Sequence, residues 1–272
     1  MQIPLAIGLL ITAAALPLSS GQYIDSTGQV YNQLPNLSDF NSAGEFDARF
    51  ATEVFTNHNG MQFQVDRPWT AEEEAYYGML SGFINPNTKG SGNGLRANVT
   101  CTHPVDEEYR SAFGNVYNSI KNNVVTVVEM ADNALQSNWG INFVPRKGYS
   151  WDSNDNGDIV QLLDEAYSEG GGLNGQDMMI AFSNDPTPGG AIGVGYIGWP
   201  RQLSTLYGNQ LAQASIVQHE AGHNYTLQHC CDGNCIMQAY LDTGAFGGFH
   251  NYSENCSGQN HYSTMNSQRN RY

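Results

Sequence analysis

Basic residues are scarce in this chain. Eleven lysines and arginines stand against 26 aspartates and glutamates, a formal net charge of −15 at pH 7, and Lys89, Lys121 and Lys147 are the only lysines. That balance excludes a protein built to neutralise nucleic acid or to cling to an anionic bilayer. Long apolar runs are also missing, with one exception at the N-terminus. There an apolar stretch from Ile3 to Leu18 ends in small residues, the pattern of a secretory signal (residues 1–20) cut near Ser20 or Gly21. No basic residue precedes the stretch, so the initiator amine must take that role. The stretch is short for a membrane span and nothing after it halts transfer. The mature form is therefore expected to be secreted, without a membrane span, and monomeric. Five sequons, at Asn36, Asn98, Asn224, Asn251 and Asn255, fit a glycoprotein on that route.

Cysteine is sparse and unevenly placed. There are five: Cys101, then Cys230, Cys231, Cys235 and Cys256 near the C-terminus. An odd number in an exported chain leaves at least one unpaired, or paired between molecules. Adjacent Cys230 and Cys231 are poor partners for each other, so one of them is expected to bridge Cys235. Cys256 then reaches Cys101 or the other member of the pair; spacing does not decide which.

Residues 21–94 contain no cysteine and show weak periodicity, ending in the linker-like "NPNTKGSGNG". They read as a propeptide or a small subdomain ahead of a catalytic unit at 95–272. In that unit "LRANVTC", "INFVP", "DMMIAF" and "AIGVGYIG" suit strands. Between the first two, Phe113, Val116, Ile120, Val124, Val127, Ala131, Ala134 and Leu135 line one face of a single long helix. "IVQLLDEAYSE" suits a shorter helix. Alternating strands and helices imply an α/β fold with a twisted, mostly parallel sheet. "DSNDNGD" (Asp152–Asp158) partly matches a calcium loop, but Leu163 stands where the bidentate acid belongs. A polar turn is the better reading, and Ca2+ only a secondary expectation.

The densest chemistry lies in "IVQHEAGHNYTLQHCCDGNCIM" (Ile216–Met237). His219 and His223, four apart on a helix, stand one turn above each other and can grip one ion. Glu220 neighbours the first and can act on a water without ligating, the H-E-x-x-H arrangement of zinc peptidases. His229 completes three nitrogens around one Zn2+, leaving the open position that hydrolysis needs. In this reading Glu220 takes the proton of the zinc-activated water and passes it to the leaving amine. His58, His103, His250 and His261 show no ligand spacing and read as surface or hydrogen-bonded residues.

At this point the chain resembles the metzincin zinc peptidases, whose signature is H-E-x-x-H-x-x-G-x-x-H followed by a methionine-bearing turn. "HEAGHNYTLQH" matches except at Thr226, where the family has glycine. Within the clan it is most similar to the adamalysin (reprolysin) branch, with H-E-x-G-H-N, then "CIM" (Cys235–Met237), then "YSENCS" (Tyr252–Ser257). The resemblance implies a secreted metalloendopeptidase acting on proteins or peptides, with His219, His223 and His229 as ligands of one catalytic zinc. It makes Glu220 the base and Met237 the turn beneath the metal, over an irregular C-terminal subdomain held by disulfides. It also implies an antiparallel edge strand at Gly193, Val194, Gly195 and Tyr196, whose glycines would let a substrate backbone come close. The family's cysteine after that strand is absent, so its disulfide pattern does not transfer. "HCCDGNCIM" also fits the archaemetzincin spacing H-C-x4-C-x-M, which raises an aminopeptidase as an alternative. That branch needs two further cysteines for a second zinc where only Cys256 appears, which favours disulfide over thiolate–zinc. A secreted, non-catalytic binding protein of the same fold is the other alternative, and the presence of Glu220 argues against it. With no cysteine in residues 22–94, any inhibition by that segment must be steric or through a carboxylate. Thr226 is expected in the strained left-handed region, held there by the zinc and the cysteine brace.

Overall fold

A computed structural model describes residues 17–80, 97–187 and 190–272. The apolar part of the expected signal, the linker "NPNTKGSGNG" and the boundary at 94/95 lie outside them.

The larger layer is a five-stranded sheet. Its strands are β5 (Ala97–Val105), β6 (Ile141–Ser150), β7 (Met178–Ser183), β8 (Gly193–Gly195) and β9 (Arg201–Thr205), in the order β6-β5-β7-β9-β8. All pairs are parallel except β8–β9, which is antiparallel, as the sequence implied. β9 was not anticipated: its "RQLST" alternates too weakly to read as a strand, yet it sits inside the sheet, with Gln202, Leu203 and Ser204 buried. Strands buried on both faces show how the layers are sorted. On β7, Met178, Ile180 and Phe182 join a core with α4 (Tyr117–Trp139) and α6 (Gln210–Asn224). Met179 and Ala181 face the other way, into a core with α5 (Ile159–Glu169).

The long helix expected after β5 is two. α3 (Glu107–Ala112) ends at Phe113, Gly114 and Asn115 adopt φ of 63° and 56°, and α4 begins after Val116. Left-handed residues cannot continue a helix, and the break turns Val116 outward, 53 % exposed, while Val124, Val127, Ala131 and Leu135 stay in the core. The polar turn Asp152–Asp158 ends as a helix cap. The Asp158 side chain accepts from Gln161 N and from the Tyr23 hydroxyl at 2.6 Å, so that carboxylate is committed and calcium has no support there.

The N-terminal segment folds as a second layer. β1 (Tyr23–Ile24), β2 (Val30–Tyr31), β3 (Phe55–Asn57) and β4 (Gln62–Phe63) form an antiparallel sheet in the order β2-β1-β3-β4, with α1 (Ala43–Phe50) beside it. Strands of two or three residues leave no period-2 trace, which is why the sequence looked featureless. Phe46, Phe50, Phe55 and Phe63 form a run of tilted and stacked rings, with Phe40 edge-to-face on Phe46. It shares one core with α5, Val194, Tyr196 and Leu203. After β4 the chain runs on to α2 (Ala71–Leu80). No helix among the described residues is long and apolar enough to cross a membrane.

Candidate metal centre

α6 is capped by Asn209, whose side chain accepts from Leu211 N and Ala212 N at 3.0 Å. It then runs through the middle of the molecule, buried from Leu211 to Asn224. One turn of it carries His219, Glu220 and His223. The helix stops at Tyr225, and Thr226 takes φ 75°, the left-handed value expected of the family glycine. Leu227 N donates to Gly222 O at 2.9 Å and Thr226 N to His223 O at 2.8 Å, the paired bonds of a Schellman-type end. Among the described residues no side-chain bond of the Thr226 hydroxyl accompanies them, and the turn is held from outside. Gln259 donates to Thr226 O at 3.2 Å, and the Thr226 methyl lies near Gly198.

That reversal brings His229 back over the helix. The Nε2 atoms of His219 and His223 are 3.0 Å apart, and those of His219 and His229 3.1 Å. Each ring is oriented by a backbone carbonyl that can only accept: His219 Nδ1–H donates to Ile236 O at 2.7 Å, His223 to Leu227 O at 2.8 Å and His229 to Ala51 O at 2.7 Å. With the protons on Nδ1, three Nε2 lone pairs point at one another. That arrangement is repulsive unless a cation sits between them, and outer-shell carbonyls are the usual way metal-binding imidazoles are fixed. Burial, reinforced by the neighbouring imidazoles, holds His223 well below the ordinary histidine range, and burial lowers His219 too. Neutral rings are what a metal requires. The donor set fits zinc, about 2.0–2.1 Å from each nitrogen.

Two further contacts shape the floor. A methyl at Gly222 would run into the Met237 sulfur, so the glycine is what lets the methionine turn lie beneath the helix. Ile236 O, one residue before Met237, is the acceptor that aims His219.

The Glu220 carboxyl is fully buried beside the cluster and raised well above the ordinary range, by burial first and then by the charge of Asp66. Gly193 and Gly195 of the edge strand are small because of it. A methyl at Gly193 would strike Glu220 Oε1 and Ile216, and one at Gly195 would lie 2.6 Å from Glu220 O. These two glycines therefore make room for helix α6. Val194 and Tyr196 are core residues, with the Tyr196 hydroxyl donating to Asp164 at 2.8 Å.

Asp66 was not singled out in the sequence. Its buried carboxylate reaches His219 Nε2 at 3.2 Å through Oδ2 and His229 Nε2 at 3.0 Å through Oδ1. Burial opposes its charge, and its oxygens face the inward Nε2 lone pairs, which adds to the case for a cation between them. The residues around it follow the cleft. Ile197 N donates to Gln62 O at 2.8 Å, His229 N to the Gln64 side chain at 2.7 Å, and Arg67 N to Ala239 O at 3.2 Å. Trp69 Nε1 donates to Leu241 O. Arg67 is fixed by Asp47 and Glu73, both at 2.7 Å, and lies over the Tyr240 ring. A lone acid in the apolar "FQVDRPW" was the available signal.

A family profile for metallo-peptidase family M12, of reprolysin type, matches residues 96–272. The chain belongs to metallo-peptidase family M12. Membership implies a zinc-using hydrolase with protein or peptide substrates, and a metzincin-type fold, which the mixed sheet and buried helix α6 bear out. No curated protein matches the chain. Among solved structures, a chain described as part of a chaperone–substrate complex is 15 % identical with a TM-score of 0.48. The match covers 65 % of this chain and 34 % of that one, so the chain spans about a third of that protein's length.

The cysteines meet expectation in part: Cys256 does reach a member of the 230/231 pair. Cys231 pairs with Cys256, while Cys101, Cys230 and Cys235 are free and buried. The expected bridge from the 230/231 pair to Cys235 is not formed. Cys101 lies inside β5, shut into the sheet core. Of the sequons, Asn224 is wholly buried, donating to Tyr196 O and Arg201 O at 3.2 and 3.0 Å, so the folded chain has no glycan there.

Proposed function

We propose that the chain is a secreted zinc endopeptidase, with Glu220 as general base and residues 21–94 as a propeptide lying in its cleft. The convergence of three carbonyl-oriented Nε2 atoms beside the buried Glu220 carboxyl carries this reading.

Bound zinc would supply Lewis-acid polarisation of the scissile carbonyl and of the attacking water. His219, His223 and His229 would hold it. Glu220, one residue from a ligand, would take the water's proton on its carboxylate and later deliver it to the leaving nitrogen. One carboxylate can serve both steps, accepting the proton and then returning it. The backbone of β8 offers an edge along which an extended peptide can bind as an added strand. Residues 62–69 occupy that side now, with the chain continuing from both ends of the stretch. An intact Glu220 supports an enzyme over a binding protein.

The test is Glu220→Gln with zinc measured alongside turnover of casein or a quenched peptide. Loss of a general base costs about 10²–10⁴-fold in rate, and the substitution should leave the zinc content unchanged. Near-normal turnover would remove Glu220 from the mechanism.

A further inference from the structure

A second cluster of metal-binding side chains lies on the far side of the methionine turn. Cys230, Cys235, His250 and His261 are all buried, and one ligand atom from each lies within 4.8 Å of every other. Cys235 Sγ is 3.2 Å from His261 Nδ1. The His250 Nε2–H donates to Gly233 O at 3.0 Å, which leaves its Nδ1 as a lone pair, buried without a hydrogen-bond partner among the described residues. This is the outer-shell pattern of the three-histidine centre again, a ring aimed by a backbone carbonyl with its other nitrogen turned inward.

We propose that these four residues form a second, structural zinc site. Two thiolates and two imidazoles are a complete tetrahedral set with no open position, the hallmark of a zinc that holds structure rather than reacts. The charges balance: on binding, each thiol gives up its proton to solvent, and two thiolates neutralise the dication in a buried place. An unbalanced charge there would be costly. The alternative is a Cys230–Cys235 disulfide, but that would leave the buried His250 nitrogen with no partner. The segment already has a covalent brace in Cys231–Cys256.

What the ion would join explains where it sits. Cys230 follows the ligand His229, and its N–H donates to Met237 O at 2.8 Å. Cys235 opens the turn that carries Met237. His261 is the first residue of α7 (His261–Gln268), and Tyr262 N ties that helix to His250 O at 2.8 Å. One ion would therefore staple the loop bearing the third histidine and the methionine turn to the C-terminal helix. The ligands come from segments that local sequence spacing does not connect, so His250 and His261 read as ordinary surface or hydrogen-bonded residues.

The experiment uses the intact chain from an exporting host. Zinc is counted per chain, and cysteines are alkylated after unfolding in chelator without reductant. Two zinc ions and three alkylated cysteines (101, 230 and 235) are expected. One zinc with Cys230 disulfide-linked to Cys235 overturns the proposal, and so does one zinc with both thiols free. Cobalt replacement separates this site from the peptidase centre. A thiolate-to-cobalt charge-transfer band should survive His223→Ala and be lost or greatly weakened in His261→Ala, each variant losing one metal. A band that is absent from the unaltered protein, or that follows His223 instead, contradicts the assignment. The thiol count needs no variant, so a misfolded His261→Ala does not leave the question open.

Discussion

The two clusters flanking the methionine turn use similar parts to opposite ends. The Cys230–Cys235–His250–His261 set supplies four protein ligands and is closed by construction. The His219–His223–His229 set supplies three, and in this form of the chain its fourth side faces Asp66, which arrives from the N-terminal layer. The difference lies in where the fourth group comes from. A ligand belonging to the catalytic unit cannot be withdrawn without unfolding it. One carried by the N-terminal layer would, on the proposed propeptide reading, leave with that layer. The same contrast extends to the outer shell. His219 and His223 are aimed by carbonyls of the catalytic unit, but His229 is aimed by Ala51 O, and its backbone N–H is held by Gln64.

That asymmetry can be tested at the peptidase centre alone. Once residues 21–94 are cut away and separated, His229 loses both partners. Losing outer-shell partners of a ligand typically costs about 10–100-fold in metal affinity. Zinc retention at the three-histidine centre against a competing chelator should fall by that order, while the Cys2His2 zinc holds as before. Equal losses at both would show that the N-terminal layer supports the whole C-terminal region and not His229 in particular.

A smaller effect is expected at Thr226. A β-branched residue at φ 75° stores about 1–3 kcal/mol of strain. Thr226→Gly should relieve it, partly offset by the greater freedom of glycine in the unfolded chain. Activity should persist, with melting temperature or zinc affinity modestly raised. A fall in both would mean that the threonine's contact with Gly198 holds the turn, and that strain is not its main consequence.

Much of this was readable in the residues because it depends on local spacing. The i, i+4 histidines, the ten-residue step to His229, the Met237 turn, the parallel sheet and its antiparallel edge all follow from periodicity or from motif. The illegible parts depend on contacts distant in sequence. That Gly193 and Gly195 pack against Glu220 is one such contact. Cys231 reaches past Cys235 to Cys256, which frees two thiols to meet His250 and His261. Asp66 lies more than 150 positions before the histidines it touches, in a segment whose strands are too short to leave a pattern. The absence of cysteine from that segment did show that a cap, if there is one, would not be a thiolate.

The central claim is that the three-histidine centre is the peptidase site and that Asp66 closes it. The most direct measurement is peptide hydrolysis by the intact, zinc-loaded chain with and without Asp66→Ala. The account predicts a nearly silent unaltered chain, and a rise of about tenfold or more on substitution, equivalent to at least ~1.4 kcal/mol of lost capping, at unchanged zinc content. Equal rates from the two proteins at equal zinc content would contradict it.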